Sequence, residues 1–249
     1  MKLCRFSVAD DPRPRAGIFH DGKIYETDGE KALGVHAPEA VDLLTPIGHA
    51  ASLRLFDAWA ASPKPQFVYG NPGAIAPPEH EILFPETDLA GVDVYMAVVV
   101  GSTDREVTIE EADQLVLGYS TFLAWSIGDS RQASKLYDPG FILGPFVVTP
   151  DEMDDRATAT ERGKVFNLKC RLHLGDDIVA NVEMGDMTYT FAEMVREASR
   201  GADLREGDII AAGPIPGLSL PGAERSLRDG DVVIAVIEKL GALAGRARI

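Results

Sequence analysis

The sequence predicts an α+β fold in which strands carry most of the structure. Three observations point there. β-Branched apolar runs recur, above all Val98-Val99-Val100 and the run at 231–237, and such residues suit buried strands. Gly 24 and Pro 16 in 249 residues imply many turns. Helical signals are few and do not alternate regularly with strands, which excludes a repeating strand–helix–strand architecture.

The elements follow in order. Residues 16–19 and 23–26 flank His20-Asp21-Gly22, a hairpin signal, because Gly supplies the positive φ of a tight turn. A helix is expected over 50–60, with Leu53, Leu55, Phe56 and Trp59 as its apolar positions. The Pro-containing stretch from Ala61 ends it and reads as a linker. This makes residues 1–66 a small N-terminal α/β module and 67–249 a second, larger domain. A Pro-rich approach over 71–85 leads to a buried strand ending at Gly101. Thr108-Ile109-Glu110-Glu111 is a capping box, and the apolar spacing of Ile109, Ala112, Leu115, Val116, Tyr119, Phe122 and Leu123 predicts a helix over 109–123. Residues 129–140 read as irregular, and 141–148 as a strand broken at Gly144-Pro145. Residues 149–163 form a charged excursion. A hairpin is expected over 165–182, and a second capping box, Thr190-Phe191-Ala192-Glu193, opens a short helix. Leu204-Arg205-Glu206-Gly207-Asp208 and Leu227-Arg228-Asp229-Gly230-Asp231 are two copies of one turn, each feeding an apolar strand.

Charge and cysteine usage narrow the function classes. The formal charge of −15 argues against nucleic acid or an anionic membrane as the partner, since both need a basic face. It leaves room for a small anionic substrate held by local cations. Cys4 and Cys170 have neither disulfide-framework nor metal-ligand spacing. A reducing, cytoplasmic setting is expected, and the opening MKLCRFSVADD has no apolar run of the signal-peptide kind.

From Phe67 onward several segments together resemble the fumarylacetoacetate hydrolase family. They are Val94-Tyr95-Met96-Ala97 running to Gly101, the stretch from Glu111 to Gly118-Tyr119, Lys135-Leu136-Tyr137-Asp138, Gly144-Pro145, Gly207-Asp208 through Gly213, and Gly230-Asp231 with Leu240-Gly241. The resemblance implies a mixed β-sheet roll, a homodimer, and chemistry on 1,3-dicarbonyl or 2-oxo acids. It also implies a divalent cation, Mg²⁺ or Mn²⁺, held by three carboxylates and acting as a Lewis acid.

The site residues depart from that pattern. The family's Glu-x-Glu falls on Asp93-Val94-Tyr95, and its third carboxylate falls on Ala124. Asp93 remains the one expected metal ligand. A neutral phenol at Tyr95 is a poor ligand for a hard cation, and Asp129 sits about 140° further round a helix. The ligand set is therefore incomplete, and the expected enzyme works without the metal. Lys135, in the family's Lys-x-x-Asp position, and Arg131 are the expected cations for a carboxylate or enolate, with Tyr95 as a hydrogen-bond donor. Asp138, Tyr137, Trp125 and Phe122 are the expected substrate contacts. The reactions left open are C–C hydrolysis, decarboxylation, and tautomerisation or cyclisation. A metal-dependent hydrolase with replacement ligands and a non-catalytic small-molecule-binding protein are the alternatives.

Overall fold

A computed structural model describes residues 1–85, 89–128, 137, 139–185, 187–222 and 225–249. The N-terminal strands are β1 (Lys2–Val8), β2 (Asp11–His20), β3 (Lys23–Thr27), β4 (Ala32–His36) and β5 (Val41–Leu44). The β2–β3 hairpin turns at Asp21 and Gly22, with φ of 47° and 71°, as the Asp-Gly signal requires.

The helix expected over 50–60 is instead strand β6 (Leu53–Phe56), all four residues of which are buried. A short segment buried on every side carries no period, so helix and strand cannot be told apart by spacing. After it come β7 (Phe67–Gly70), β8 (Ile75–Ala76), β9 (Glu81–Leu83) and β10 (Ala90–Val100).

The capping box at Thr108 forms as expected, but α1 (Ile109–Ala112) stops after one turn. A 3₁₀ turn follows, and then β11 (Val116–Ile127) where the long helix was expected. Both faces of β11 are covered, so its sequence lacks the polar alternation of a half-exposed strand. Close packing also needs Gly118: a Cβ there would lie 2.5 Å from the carbonyl oxygen of Val148 on β12 (Gly140–Val148). Strand β12 is continuous through Gly144 and Pro145, which are joined by a cis peptide.

The charged excursion holds a 3₁₀ helix at Pro150–Arg156 and the hairpin of β13 (Ala157–Thr160) and β14 (Gly163–Phe166). The later hairpin forms from β15 (Leu168–Leu174) and β16 (Asp177–Met184). Helix α2 (Phe191–Ser199) opens on its capping box, and β17 (Ile209–Ala212), β18 (Ser219–Leu220), β19 (Val232–Ile237) and β20 (Gly241–Arg248) complete the chain.

Among the described residues, a 13-stranded sheet runs β4-β3-β2-β1-β12-β11-β10-β17-β6-β7, with β5 on β1, β8 on β12 and β18 on β10. A five-stranded sheet runs β16-β15-β19-β20-β9. Strand β1 pairs with β12 through Lys2↔Val148 and Leu3↔Val147, and β6 pairs with β17, so residues 1–66 supply strands to the same sheet as the rest.

The two faces of the large sheet have different cores. Val92, Val94, Met96, Leu123 and Trp125 pack with Leu172, Val233, Leu243 and Phe191 in the main core. Tyr95, Ala97, Phe122, Ala124, Phe141 and Leu143 pack on the other face with Ile47, Ala50, Leu53 and Ile209. The candidate site lies on this second face.

Candidate functional site

Strands β10 and β11 are antiparallel neighbours, with Asp93 opposite Ala124 and Tyr95 opposite Phe122. A strand repeats every two residues, so Asp93 and Tyr95 project from one face, with Ala124 and Phe122 beside them. On the other side of β10, Asp93 faces Ser219 of β18. Both site side chains are buried, at 7% exposure for Asp93 and 3% for Tyr95.

Tyr137, three residues before β12, completes the group. Its hydroxyl donates to Asp93 Oδ2 at 3.1 Å and lies 3.1 Å from the Tyr95 hydroxyl. One carboxylate and two phenols thus form a continuous hydrogen-bonded chain. The rings are braced by aromatics. Tyr95 meets Phe122 edge-on at 6.1 Å, Phe122 stacks on Phe141 at 5.3 Å, and Tyr137 packs on Phe141 at 5.9 Å. Gly213 forms the shelf under Tyr95, since a Cβ there would fall 2.4 Å from the ring.

The structure therefore brings Asp93, Tyr95, Tyr137 and Phe122 together. Phe122 is fully buried and shapes the wall. Trp125 is not part of this group. As an odd-numbered neighbour of Ala124 it points to the opposite face, against Phe84 at 6.1 Å and the main core. The expectation that Trp125 lines the same wall as Phe122 followed from reading the segment as a helix; a strand separates adjacent residues by a whole sheet. Lys135, Arg131 and Asp138 lie outside the described residues, as does Asp129. His80 is an exposed residue in the loop before β9.

Two contributors escaped the sequence reading. Gly213 entered only as the end of a segment resembling the family, with no sign that it packs under Tyr95. Ser219 had no local signal.

The residues at this position do not fit the family's cation. Among the described residues the face offers one carboxylate, Asp93, whose Oδ2 already accepts from Tyr137, beside a phenol and the methyl of Ala124. Among the described residues no group of three or more His, Cys, Asp or Glu side chains converges. Hard divalent cations take six or more oxygen ligands and favour several carboxylates. What the arrangement offers chemically is a carboxylate to take a proton and a linked pair of hydroxyls to give one.

Comparison with known proteins agrees with this fold. The family described as fumarylacetoacetate (FAA) hydrolase C-terminal matches residues 43–248. A maleylpyruvate hydrolase of Aquipseudomonas alcaligenes is 28% identical over 153 residues, 61% of this chain; that stretch spans about half, 48%, of the relative. A mitochondrial oxaloacetate tautomerase of Xenopus laevis is 25% identical over 297 aligned positions, 98% of this chain and 89% of the relative. The crystal structure of maleylpyruvate hydrolase from Sphingobium sp. SYK-6 superposes with a TM-score of 0.80 at 22% identity, covering 100% of this chain and 99% of that one. With the match running through all but the first strands and the last residue, the chain belongs to the fumarylacetoacetate hydrolase family.

Proposed function

We propose that this protein is an enzyme catalysing keto–enol tautomerisation of a 2-oxo or 1,3-dicarbonyl acid, and that it does so without a divalent cation. The observation that carries the reading is the chain Asp93···Tyr137···Tyr95, with both links at 3.1 Å. The family's hydrolases, isomerases and tautomerases handle dicarbonyl or oxo-acid substrates, so an enzyme of this broad kind is the common ground.

Tautomerisation needs a base at the carbon next to a carbonyl and an acid at the carbonyl oxygen. Asp93 accepts the C–H proton. The C–H electron pair becomes the new C=C bond, and the carbonyl π pair moves to oxygen. Tyr95 gives its hydroxyl proton to that oxygen. Tyr137 then returns a proton to Tyr95, and the protonated Asp93 returns one to Tyr137. The net change is one proton moved from carbon to oxygen, with the three side chains restored. Burial strengthens each of these hydrogen bonds relative to water. Hydrolysis would also need a positioned and activated water, a demand that proton transfer alone does not make.

Loss of a positioned general base or acid lowers rates by about 10²–10⁴-fold. Exchange of the C3 hydrogens of oxaloacetate or an acylpyruvate into deuterated water, followed by NMR, reads the proposed step directly. Asp93→Asn is expected to lower enzyme-dependent exchange by at least about 100-fold, and Tyr137→Phe by about 10–100-fold. Exchange by Asp93→Asn at the wild-type rate would remove Asp93 from the mechanism.

A further inference from the structure

A second feature of the same sheet face is a cavity of about 390 Å³ between β1 and the Pro-rich segment, lined by Arg5, Thr45, Ile47, Pro72, Ile75 and Pro77 among others. Ile47 and Ile75 pack in the cluster that holds Tyr95, Phe141 and Tyr137. Along β1, Cys4 and Phe6 turn to a separate small core with Ile24, whereas Leu3 packs against the cluster of the site. Alternation places Arg5 on the Leu3 face.

The guanidinium of Arg5 is held in place and only partly used. Its Nη1 donates to the carbonyl oxygens of Thr45 at 3.2 Å and Ile47 at 2.7 Å. A guanidinium has five N–H donors, so the edge formed by Nε and Nη2 is left over. That edge is the planar two-donor fork that matches a carboxylate. Among the described residues Arg5 makes no ion pair with any Asp or Glu. In a protein with 39 acidic against 24 basic side chains, a half-buried arginine in a cavity without a carboxylate partner stands apart.

We propose that Arg5 binds a carboxylate of the ligand in this cavity. Identifying that ligand as the substrate rests on the reading given above; the binding itself does not. Strand β1 is three strand spacings from β10 through β12 and β11, roughly 14 Å along the sheet. The carboxylate held by Arg5 is therefore the end of the ligand remote from the carbon that exchanges its proton. The substrate class becomes an extended oxo diacid. A carboxylate is favoured over a phosphate because the planar two-donor fork matches its two coplanar oxygens.

Calorimetric titration with glutarate tests this on the intact protein without turnover. Glutarate is expected to bind saturably and its neutral analogue glutaramide not to bind. Arg5→Gln, which keeps a donor for the two carbonyls but no charge, is expected to weaken glutarate at least tenfold. Arg5→Lys, which keeps the charge but loses the fork, is expected to fall between. Circular dichroism melting checks that the variants fold, and the glutaramide comparison on wild type stands if they do not. No saturable glutarate binding, equal affinity for glutaramide, tighter binding of inorganic phosphate, or an unchanged affinity in a folded Arg5→Gln would each overturn the assignment. Absence of C3 exchange with intact glutarate binding would instead sink the catalytic reading and leave this one standing.

Discussion

At the scale of single residues, geometry that depends on strand period was legible and geometry that depends on a loop was not. Asp93 and Tyr95 share a face because they are two apart, and Ala124 sits beside Asp93 because of the β10–β11 register. The sequence pointed to these three positions through alternation and resemblance. The hydroxyl of Tyr137 reaching Asp93 depends on the path of the chain before β12, for which local sequence gives no rule. Gly213 is the residue whose replacement should be most telling. A Cβ 2.4 Å from the Tyr95 ring cannot be accommodated without movement, so Gly213→Ala should cost about 1–3 kcal/mol of stability. Tyr95 should also be displaced, lowering C3 exchange beyond what the stability loss explains; an unchanged melting temperature and rate would contradict this packing.

The two thiols make a pH-dependent case. Burial pushes Cys4 from the ordinary 9.0 up to about 11, and Cys170 up to about 12. Folded protein at pH 8 should therefore resist a disulfide thiol reagent at both cysteines, with both reacting once denaturant is added. The fold prefers the neutral thiol, so its contribution is complete below pH 9 and is lost as pH rises through 11 to 12. Rapid labelling of the native protein at pH 8 would contradict the burial.

At the scale of elements, end signals proved more reliable than lengths. Both capping boxes form, with Thr108 accepting from Glu111 N at 3.3 Å and Thr190 accepting from Glu193 N at 3.2 Å. Only the second opens a full helix. Residues 118–126 are buried on both faces, so their apolar spacing satisfied a helical pattern by coincidence. The same coincidence hid β6 and turned Trp125 to the wrong side. The repeated turn forms in both copies: Gly207 and Gly230 have φ of 82° and 84°, Asp208 accepts from Arg205 N at 3.0 Å, and Asp231 accepts from Arg228 N at 2.9 Å.

The first copy of that turn does more than the second. Asp208 also accepts from Ser52 N at 2.8 Å and pairs with Arg54 at 3.5 Å, both side chains at or below 3% exposure. Arg54 in turn lies over the rings of Phe67 and Tyr69. This interaction fixes β6 to β17. Asp208→Asn leaves a buried guanidinium without its counter-charge and should destabilise the fold by about 3–5 kcal/mol, read as a lower denaturant midpoint. A shift below about 1 kcal/mol would place the pair in the class of weak surface bridges.

At the scale of the whole molecule, the 13-stranded sheet joins the N-terminal strands to the matched family region through β1–β12 and β6–β17. One face of that sheet builds the main core against the five-stranded sheet. The other holds the tyrosine–aspartate chain and the cavity at Arg5. No helix of the described residues is long and apolar enough to cross a membrane. The surplus of acids is spread over turns, caps and surface pairs such as Asp155–Lys239 and Glu238–Arg156. Among the described residues it is not gathered into a three-carboxylate cation site.

On the proposed mechanism Asp93 and the two tyrosines move a proton between carbon and oxygen without a divalent cation. The rate of C3 hydrogen exchange by wild-type protein, after exhaustive chelation and again after adding Mg²⁺ or Mn²⁺, tests it most directly. The expected result is full activity in the chelated protein, unchanged by either metal. Activity abolished by chelation and restored by the cation would contradict the account.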